Sequence, residues 1–328
     1  MNVNRSKYSC SLENNSNFHH MEYPVLGVRV LIKSDISMIR HMADLRFGHW
    51  RKLPKHSVSP GFPVIVTICE SAISTSIKKK ESIQYKVEPD FLSAEAAGVI
   101  FEADRKAGKA KAYVNPMTAD LSDFFQKNIL ECMVLFLATA TDREPLHASA
   151  VIRNKTALLI CGSSGSGKTT LAYSLYKRGA DVLAESAIYI SRKKGWQLWG
   201  DPLGFNFKRD ACEQFPELLN IPEDRFPNGR LKIPLKLPLE GESGRRKWVF
   251  SGNIIIVFPE RTAESHSRIC EISHAEMLKR VTSNRESGFD LSNTFENTMS
   301  ELPVKSSYIV ETGTDIMQTT NLLESLFP

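Results

Sequence analysis

Residues 162–169 read Gly-Ser-Ser-Gly-Ser-Gly-Lys-Thr, set between the apolar run of residues 156–161 and the helix-forming run of residues 170–178. No other stretch narrows the fold so far. The pattern G-x-x-x-x-G-K-[ST] arises by chance in only about one chain in a hundred of this length at average residue usage. An apolar strand, a glycine-rich turn and a helix start, in that order, make an α/β element whose backbone N–H groups and helix dipole face an anion. Gly162, Gly165 and Gly167 let the backbone turn tightly, and Gly179 is placed to close the helix in a left-handed cap. The pattern implies ATP and Mg²⁺. Gly162, Ser163, Ser164, Gly165, Ser166, Gly167, Lys168, Thr169 and Thr170 would hold the phosphates, with Lys168 on the β/γ-phosphates and the Thr169 hydroxyl on the metal.

The 328 residues suffice for two domains, and 42% hydrophobic with 24% charged residues is ordinary for a soluble globular protein. The net charge of +5 suits an acidic partner or phosphates but is no nucleic-acid signature. No apolar run reaches the length of about 18 residues that a membrane helix needs, and the N-terminus lacks the apolar core of a signal peptide. The cysteines Cys10, Cys69, Cys132, Cys161, Cys212 and Cys270 form no Cys-x-x-Cys pair, which argues against a zinc site or a disulfide framework. Several lie in apolar runs, as core cysteines do. A cytoplasmic, reduced protein is expected, without nucleic-acid or membrane partners.

Residues 1–20 are polar and read as a loose tail, with His19 and His20 a solvated pair. Residues 21–118 read as a smaller α+β domain with mainly antiparallel pairing. Strands are expected at 25–32 and 63–69, a helix over 35–47, and a hairpin around Lys106-Ala107-Gly108-Lys109. Lys78, Lys79 and Lys80 read as a solvated edge or as an acidic partner's docking point. The α/β domain is expected over 119–328. It opens with a helix from Asp120 to Thr139 that buries Leu121, Phe124, Phe125, Ile129, Met133, Phe136 and Leu137, with Asp120 as its cap and Asp123 in its first turn. Two strands follow, from His147 to Arg153 and from Thr156 to Cys161, joined by a turn at Asn154-Lys155.

The order Leu146-His147-Ala148-Ser149, strand, loop, helix, Arg178-Gly179-Ala180, Leu183-Ala184-Glu185-Ser186, strand resembles the catalytic domain of the HPr kinase/phosphorylase family. The resemblance is strongest over residues 146–190. The strand from Leu302 and the closing helix up to Leu326 are also similar to the family's ending. It implies a P-loop kinase domain of the type shared with the ATP-dependent phosphoenolpyruvate carboxykinases. Two departures matter. Where the family has an Asp-Asp pair, this chain has Glu185-Ser186, and Gly200-Asp201-Pro202-Leu203-Gly204-Phe205 replaces the long phosphorolysis signature. A kinase without phosphorylase activity is therefore expected, and a similar subgroup phosphorylates the C-terminal serine of lasso peptide precursors. HPr-type members assemble as hexamers, so homo-oligomerisation stays open.

The resemblance implies a catalytic role for Glu185, as base for the acceptor hydroxyl or as Mg²⁺ ligand. Asp181 is a nearby competitor, and an exposed turn residue is the bland alternative. His147 would sit beside the phosphates or be a structural histidine. Ser186 could orient water or substrate but cannot act as a base at neutral pH. Asp201 is either a Mg²⁺ ligand or the Asp of an ordinary Asp-Pro turn. Arg230, Lys232, Lys236, Arg245, Arg246 and Lys247 read equally as a phosphate or carboxylate clamp and as a solvated loop. Residues 254–260 resemble a Walker B strand in outline but read better as a core strand. The leading expectation is an ATP-dependent serine kinase acting on a peptide or small protein. The alternatives are a kinase of another protein or a small molecule, and a non-catalytic nucleotide-binding assembly protein.

Overall fold

The computed structural model describes residues 18–70, 83–96, 98–115, 122–193, 195–225, 230–238, 245–285 and 294–328. Residues 1–17 with Cys10, the lysines at 78–80, Asp120 and Leu121 lie outside them, as does the side chain of Asp123. The chain divides into two compact units, one running to Thr141 and one beginning at Asp142.

In the first unit, β1 (His19–Val25), β2 (Val28–Ser34), β3 (Val64–Glu70), β4 (Gln84–Val87), β5 (Phe91–Ala96), β6 (Val99–Asp104) and β7 (Lys109–Val114) form one sheet. Its order is β1-β2-β3-β7-β6-β5-β4. The β2–β3 and β3–β7 pairs are parallel and the others antiparallel. The single strand expected at 25–32 is instead a hairpin, because Leu26 (φ 53°) and Gly27 (φ 72°) both turn left-handed between Val25 and Val28. His19 and His20 are exposed, and they open β1 rather than ending a tail.

Helix α1 (Ser37–Phe47) falls where the apolar spacing predicts it. A longer helical stretch follows as α2 (Ser122–Phe125), a π segment (Gln126–Leu130) and α3 (Glu131–Ala138). Within it α3 packs on β3, β6 and β7, and a two-pronged Arg46–Glu131 ion pair, at 2.6 and 2.8 Å, ties it to α1. This core-packing helix completes the first unit instead of opening the second. The division therefore falls after Thr141 and not at 118/119.

The second unit is built on a six-stranded sheet that mixes both senses. Its strands in chain order begin with β8 (Glu144–Leu146), which lies in a different sheet, then β9 (Ala148–Arg153), β10 (Thr156–Cys161) and β11 (Asp181–Ala184). Next come β12 (Ile188–Ser191), β13 (Gln197–Gly200), β14 (Gly204–Phe207), β15 (Asp224–Arg225) and β16 (Leu231–Lys236). The remainder are β17 (Val249–Phe250), β18 (Asn253–Arg261), β19 (Arg268–Glu271) and β20 (Val304–Thr312). The main sheet has the order β11-β9-β10-β18-β20-β19, with β17-β13-β12-β8 and β14-β16-β15 as smaller sheets. Helices α4 (Lys168–Lys177), α5 (His274–Ser283), α6 (Phe295–Glu301) and α7 (Ile316–Glu324) complete the unit.

Strand alternation explains how the main sheet is covered. Val151, Leu158, Ile160, Ile255 and Val257 face a core shared with α4, α7 and the β14–β16 pair. Ala150, Ile152, Leu159, Ile254 and Ile256 face the other, shared with β12, β13, α5 and α6. Burial on both faces is why β10 and β18 read as unbroken apolar runs. Gly179 (φ 105°) ends α4 as expected: its N–H donates to Tyr176 and that of Ala180 to Leu175, a two-bond left-handed cap. Among the described residues no helix is long and apolar enough to cross a membrane. Cys69, Cys132, Cys161 and Cys212 are buried free thiols, and Cys270 is an exposed one.

Candidate active site

The loop that follows β10 turns on three glycines in the left-handed half of φ space: Gly162 at 150°, Gly165 at 91° and Gly167 at 102°. Gly167 is the N-cap of α4, so the loop runs directly into the helix start, where the first N–H groups point outward. The Lys168 ammonium folds back across the loop and donates to the carbonyls of Gly162 (2.6 Å) and Ser163 (3.0 Å). The Ser166 hydroxyl lies inside the turn, 2.8 Å from where a Cβ on Gly162 would stand. Among the described residues that buried oxygen has no hydrogen-bond partner. Curled backbone, a helix start, a lysine and an orphaned hydroxyl make a cradle that fits phosphate oxygens. Burial pushes the Cys161 thiol, just before the loop, up to about 12, against a smaller downward pull from the Lys168 ammonium.

The carboxylate arrives from two strands away. Strand β9 runs antiparallel to both β10 and β11, so the C-terminal ends of β10 and β11 lie at the same edge of the sheet. Glu185 is the first residue past β11. Its Oε1 accepts a hydrogen bond from Thr169 Oγ1 at 2.7 Å, and its Oε2 accepts one from Asn206 Nδ2 at 3.3 Å. The Ser149 hydroxyl on β9 donates to the Glu185 backbone carbonyl and so fixes the main chain as well. The structure thus joins the loop's threonine to Glu185. Asp181, the competitor, is at the opposite end of β11, where it pairs with Lys247.

His147 is half-buried and comes immediately before Ala148, which pairs with Cys161. That register puts it at the base of the loop. Ser186 is exposed, next to Glu185. Asp201 follows β13, and its carbonyl accepts the N–H of Leu203 in a tight turn. Burial holds the Arg246 guanidinium below its ordinary value, and the Asp201 carboxylate pulls it the other way. Among the described residues no three His, Cys, Asp or Glu side chains gather as a metal cluster. Thr169 and Glu185 together would suit Mg²⁺, which usually takes one or two protein ligands beside phosphate oxygens and water.

The basic stretch splits into parts with different work. Arg246 is buried and donates to the carbonyls of Pro202 and Leu237. Arg245 donates to the Tyr176 carbonyl and stacks over that ring. Lys232 and Lys236 lie along β16. Arg230 reaches the loop, with its Nη1 3.2 Å from Ser164 Oγ. Residues 254–260 belong to β18, which lies parallel and adjacent to β10. At the level of the loop it presents Pro259, while Glu260 is exposed and paired with Arg280.

Sequence reasoning missed Ser149, Asn206 and Lys208. Asn206 and Lys208 come from one short strand and its end. Phe205 and Phe207 of β14 are buried against Tyr173 of α4, with ring centroids 5.3 and 5.1 Å away. The residues between and after them are turned the other way. Lys208 reaches over the loop, its Nζ 3.4 Å from where a Cβ on Gly165 would stand. The signal in the sequence is the alternation Phe-Asn-Phe-Lys after a glycine.

No family model matches the chain. No curated protein matches it. Among solved structures it is similar to the Hpr(Ser) kinase/phosphatase from Coxiella burnetii, with 12% identity and a TM-score of 0.27, over 56% of this chain and 92% of that one. At that TM-score the likeness carries no weight for the chemistry.

Proposed function

We propose that the second unit is an ATP- and Mg²⁺-dependent kinase of the HPr-kinase-like type that phosphorylates a serine hydroxyl. The observation that carries this reading is the 2.7 Å hydrogen bond from Thr169, at the start of α4, to Glu185. A threonine hydroxyl has one proton and two lone pairs. With its proton given to Glu185, Thr169 turns its lone pairs elsewhere, as a Mg²⁺ ligand must. Bound ATP and Mg²⁺ would supply the transferable phosphoryl group and the cation that neutralises it. The loop backbone and Lys168 would hold the phosphates. Glu185, held by Thr169 and Asn206, would sit on the metal's side and orient both metal and acceptor. This favours metal ligation over a purely basic role.

The acceptor we propose is a peptide, specifically the C-terminal serine of a lasso peptide precursor, and the transfer runs in the kinase direction alone. The resemblance over residues 146–190 and the replacement of the phosphorolysis signature by residues 200–205 support this. A cytoplasmic location goes with such a substrate. The test is mass spectrometry of candidate precursor peptides incubated with the full chain, ATP and Mg²⁺. The expected result is one phosphate on the C-terminal serine, absent with Lys168→Ala and reduced at least about 100-fold in rate with Glu185→Gln. Nucleotide binding without transfer to any serine-bearing peptide would sink the reading.

A further inference from the structure

Three cations gather at the loop, and the phosphate-binding pattern accounts for only Lys168. Lys208 stands over Gly165, and Arg230 bonds to Ser164, the preceding loop residue. Both come from the same end of one antiparallel pair. Strand β14 ends at Phe207, opposite Ile233 of β16, so Lys208 leaves that end as Arg230 enters it. The pair is anchored by Phe205, Phe207 and Ile233 in the core beneath α4. The Lys208 ammonium is exposed, and among the described residues it makes no hydrogen bond or ion pair. Glu185 reaches the helix start from the other direction, through its hydrogen bond with Thr169.

We propose that Lys208 and Arg230 are cationic fingers supplied in cis, which meet the charge that develops on the phosphoryl group during transfer. The proposal rests on the kinase reading above. Lys168 lies deep in the loop, on the carbonyls of Gly162 and Ser163. Lys208 and Arg230 approach the loop's middle from outside. In the transfer, the bond from the γ-phosphorus to the β,γ-bridging oxygen breaks, and its electron pair leaves with ADP. A bond forms from the same phosphorus to the serine oxygen, and the hydroxyl proton passes to a carboxylate or to solvent. Negative charge spreads over the equatorial oxygens and the leaving oxygen, where a fixed cation helps more than it does in the ground state. A single arginine in this role is worth roughly 10³–10⁵ in rate in nucleotide hydrolases.

The test uses the full chain and a fluorescent ADP, titrated with Mg²⁺ alone and with Mg²⁺ plus aluminium fluoride, which mimics the phosphoryl group in flight. The wild type should bind the fluoride complex at least about 100-fold more tightly than ADP. Lys208→Ala and Arg230→Ala should each erase most of that gain and leave ADP affinity within about threefold, with kcat falling roughly 10²–10³-fold. Lys236→Ala, at the far end of the same strand pair, should match the wild type. If both finger variants keep the full gain, or if the wild type binds ADP with no gain at all, the inference is overturned while the kinase reading survives. A wild type that binds no nucleotide overturns both. Circular dichroism of each variant separates loss of the fold from loss of the cation.

Discussion

Gly200 lies so close to Leu183 that a Cβ on the glycine would stand 2.2 Å from the leucine carbonyl oxygen and 2.9 Å from the Cβ of Ala184. The obstacle is backbone, which cannot swing aside, and Glu185 is the next residue along. Gly200→Ala should therefore push β11 and β13 apart. We expect a loss of about 1–3 kcal/mol, as for other overpacked cores. The rate of the proposed phosphoryl transfer should fall further than stability alone predicts, because the Thr169–Glu185 contact opens. Urea unfolding beside steady-state kinetics checks this. A variant as stable and active as the wild type would show that the contact relaxes freely.

Asn206 donates to Glu185 Oε2, so in the proposed transfer it would act as a positioning residue. Asn206→Leu should lower kcat by about 10–100-fold, as loss of a ligand-orienting group does, with little change in nucleotide affinity. Asn206→Asp sets a second carboxylate beside Glu185, which makes both harder to ionise. The acidic limb of its pH–rate profile should move to higher pH. Superimposable profiles would remove Asn206 from the site.

The three basic residues at 245–247 should serve the fold. Arg246→Ala strips hydrogen bonds from the buried carbonyls of Pro202 and Leu237. It should cost about 1–3 kcal/mol and leave the affinity for ADP within about twofold of wild type, given no direct role at the phosphates. Thermal unfolding and an ADP titration together decide it. Intact stability with lost nucleotide binding would restore the clamp reading for this part of the stretch.

Alkaline pH should unfold the protein early. Burial pushes the Cys132 and Cys161 thiols from an ordinary 9.0 up to about 12. The unfolded chain then releases those protons first, so stability holds below about pH 9 and declines as pH rises towards 12. The phenols of Tyr23, Tyr85 and Tyr173 are also raised, chiefly by burial, and act in the same direction above pH 10. Urea midpoints from pH 7 to pH 10.5 should be flat and then fall, less steeply in Cys161→Ala. A flat curve throughout would mean the thiols ionise without unfolding.

What the sequence makes legible is local. The strand, loop and helix of residues 156–177 follow from neighbours in the chain, and so does the cap at Gly179. Glu185 is named from the sequence through the resemblance over residues 146–190, and the pairing of β9 with β10 and β11 accounts for its place beside the loop. Asn206, Lys208 and Ser149 are not, since they reach the site through pairing and packing between distant segments. The Arg230-to-Lys247 stretch shows the limit from the other side. Charge in a sequence says nothing of whether a guanidinium ends in solvent, on a carbonyl or against a phosphate loop. The hairpin at Leu26-Gly27 escapes because leucine is no turn residue, and an all-round apolar α3 gives no sign of which unit it will fill.

Strand β14 carries its work in alternate residues, and a strand has a parity. Phe205 and Phe207 belong to the core, while Asn206 bonds Glu185 and Lys208 stands over Gly165. Removing one residue from this segment would exchange the two sets at once. A phenyl ring would then face Glu185, and an amide and an ammonium would face the aromatic cluster around Tyr173. Point substitutions at these positions can be graded in effect, but a single-residue deletion there has no mild outcome. For anyone comparing chains of this kind, the spacing from Gly204 to Lys208 is therefore a more telling feature than the identity of any one residue within it.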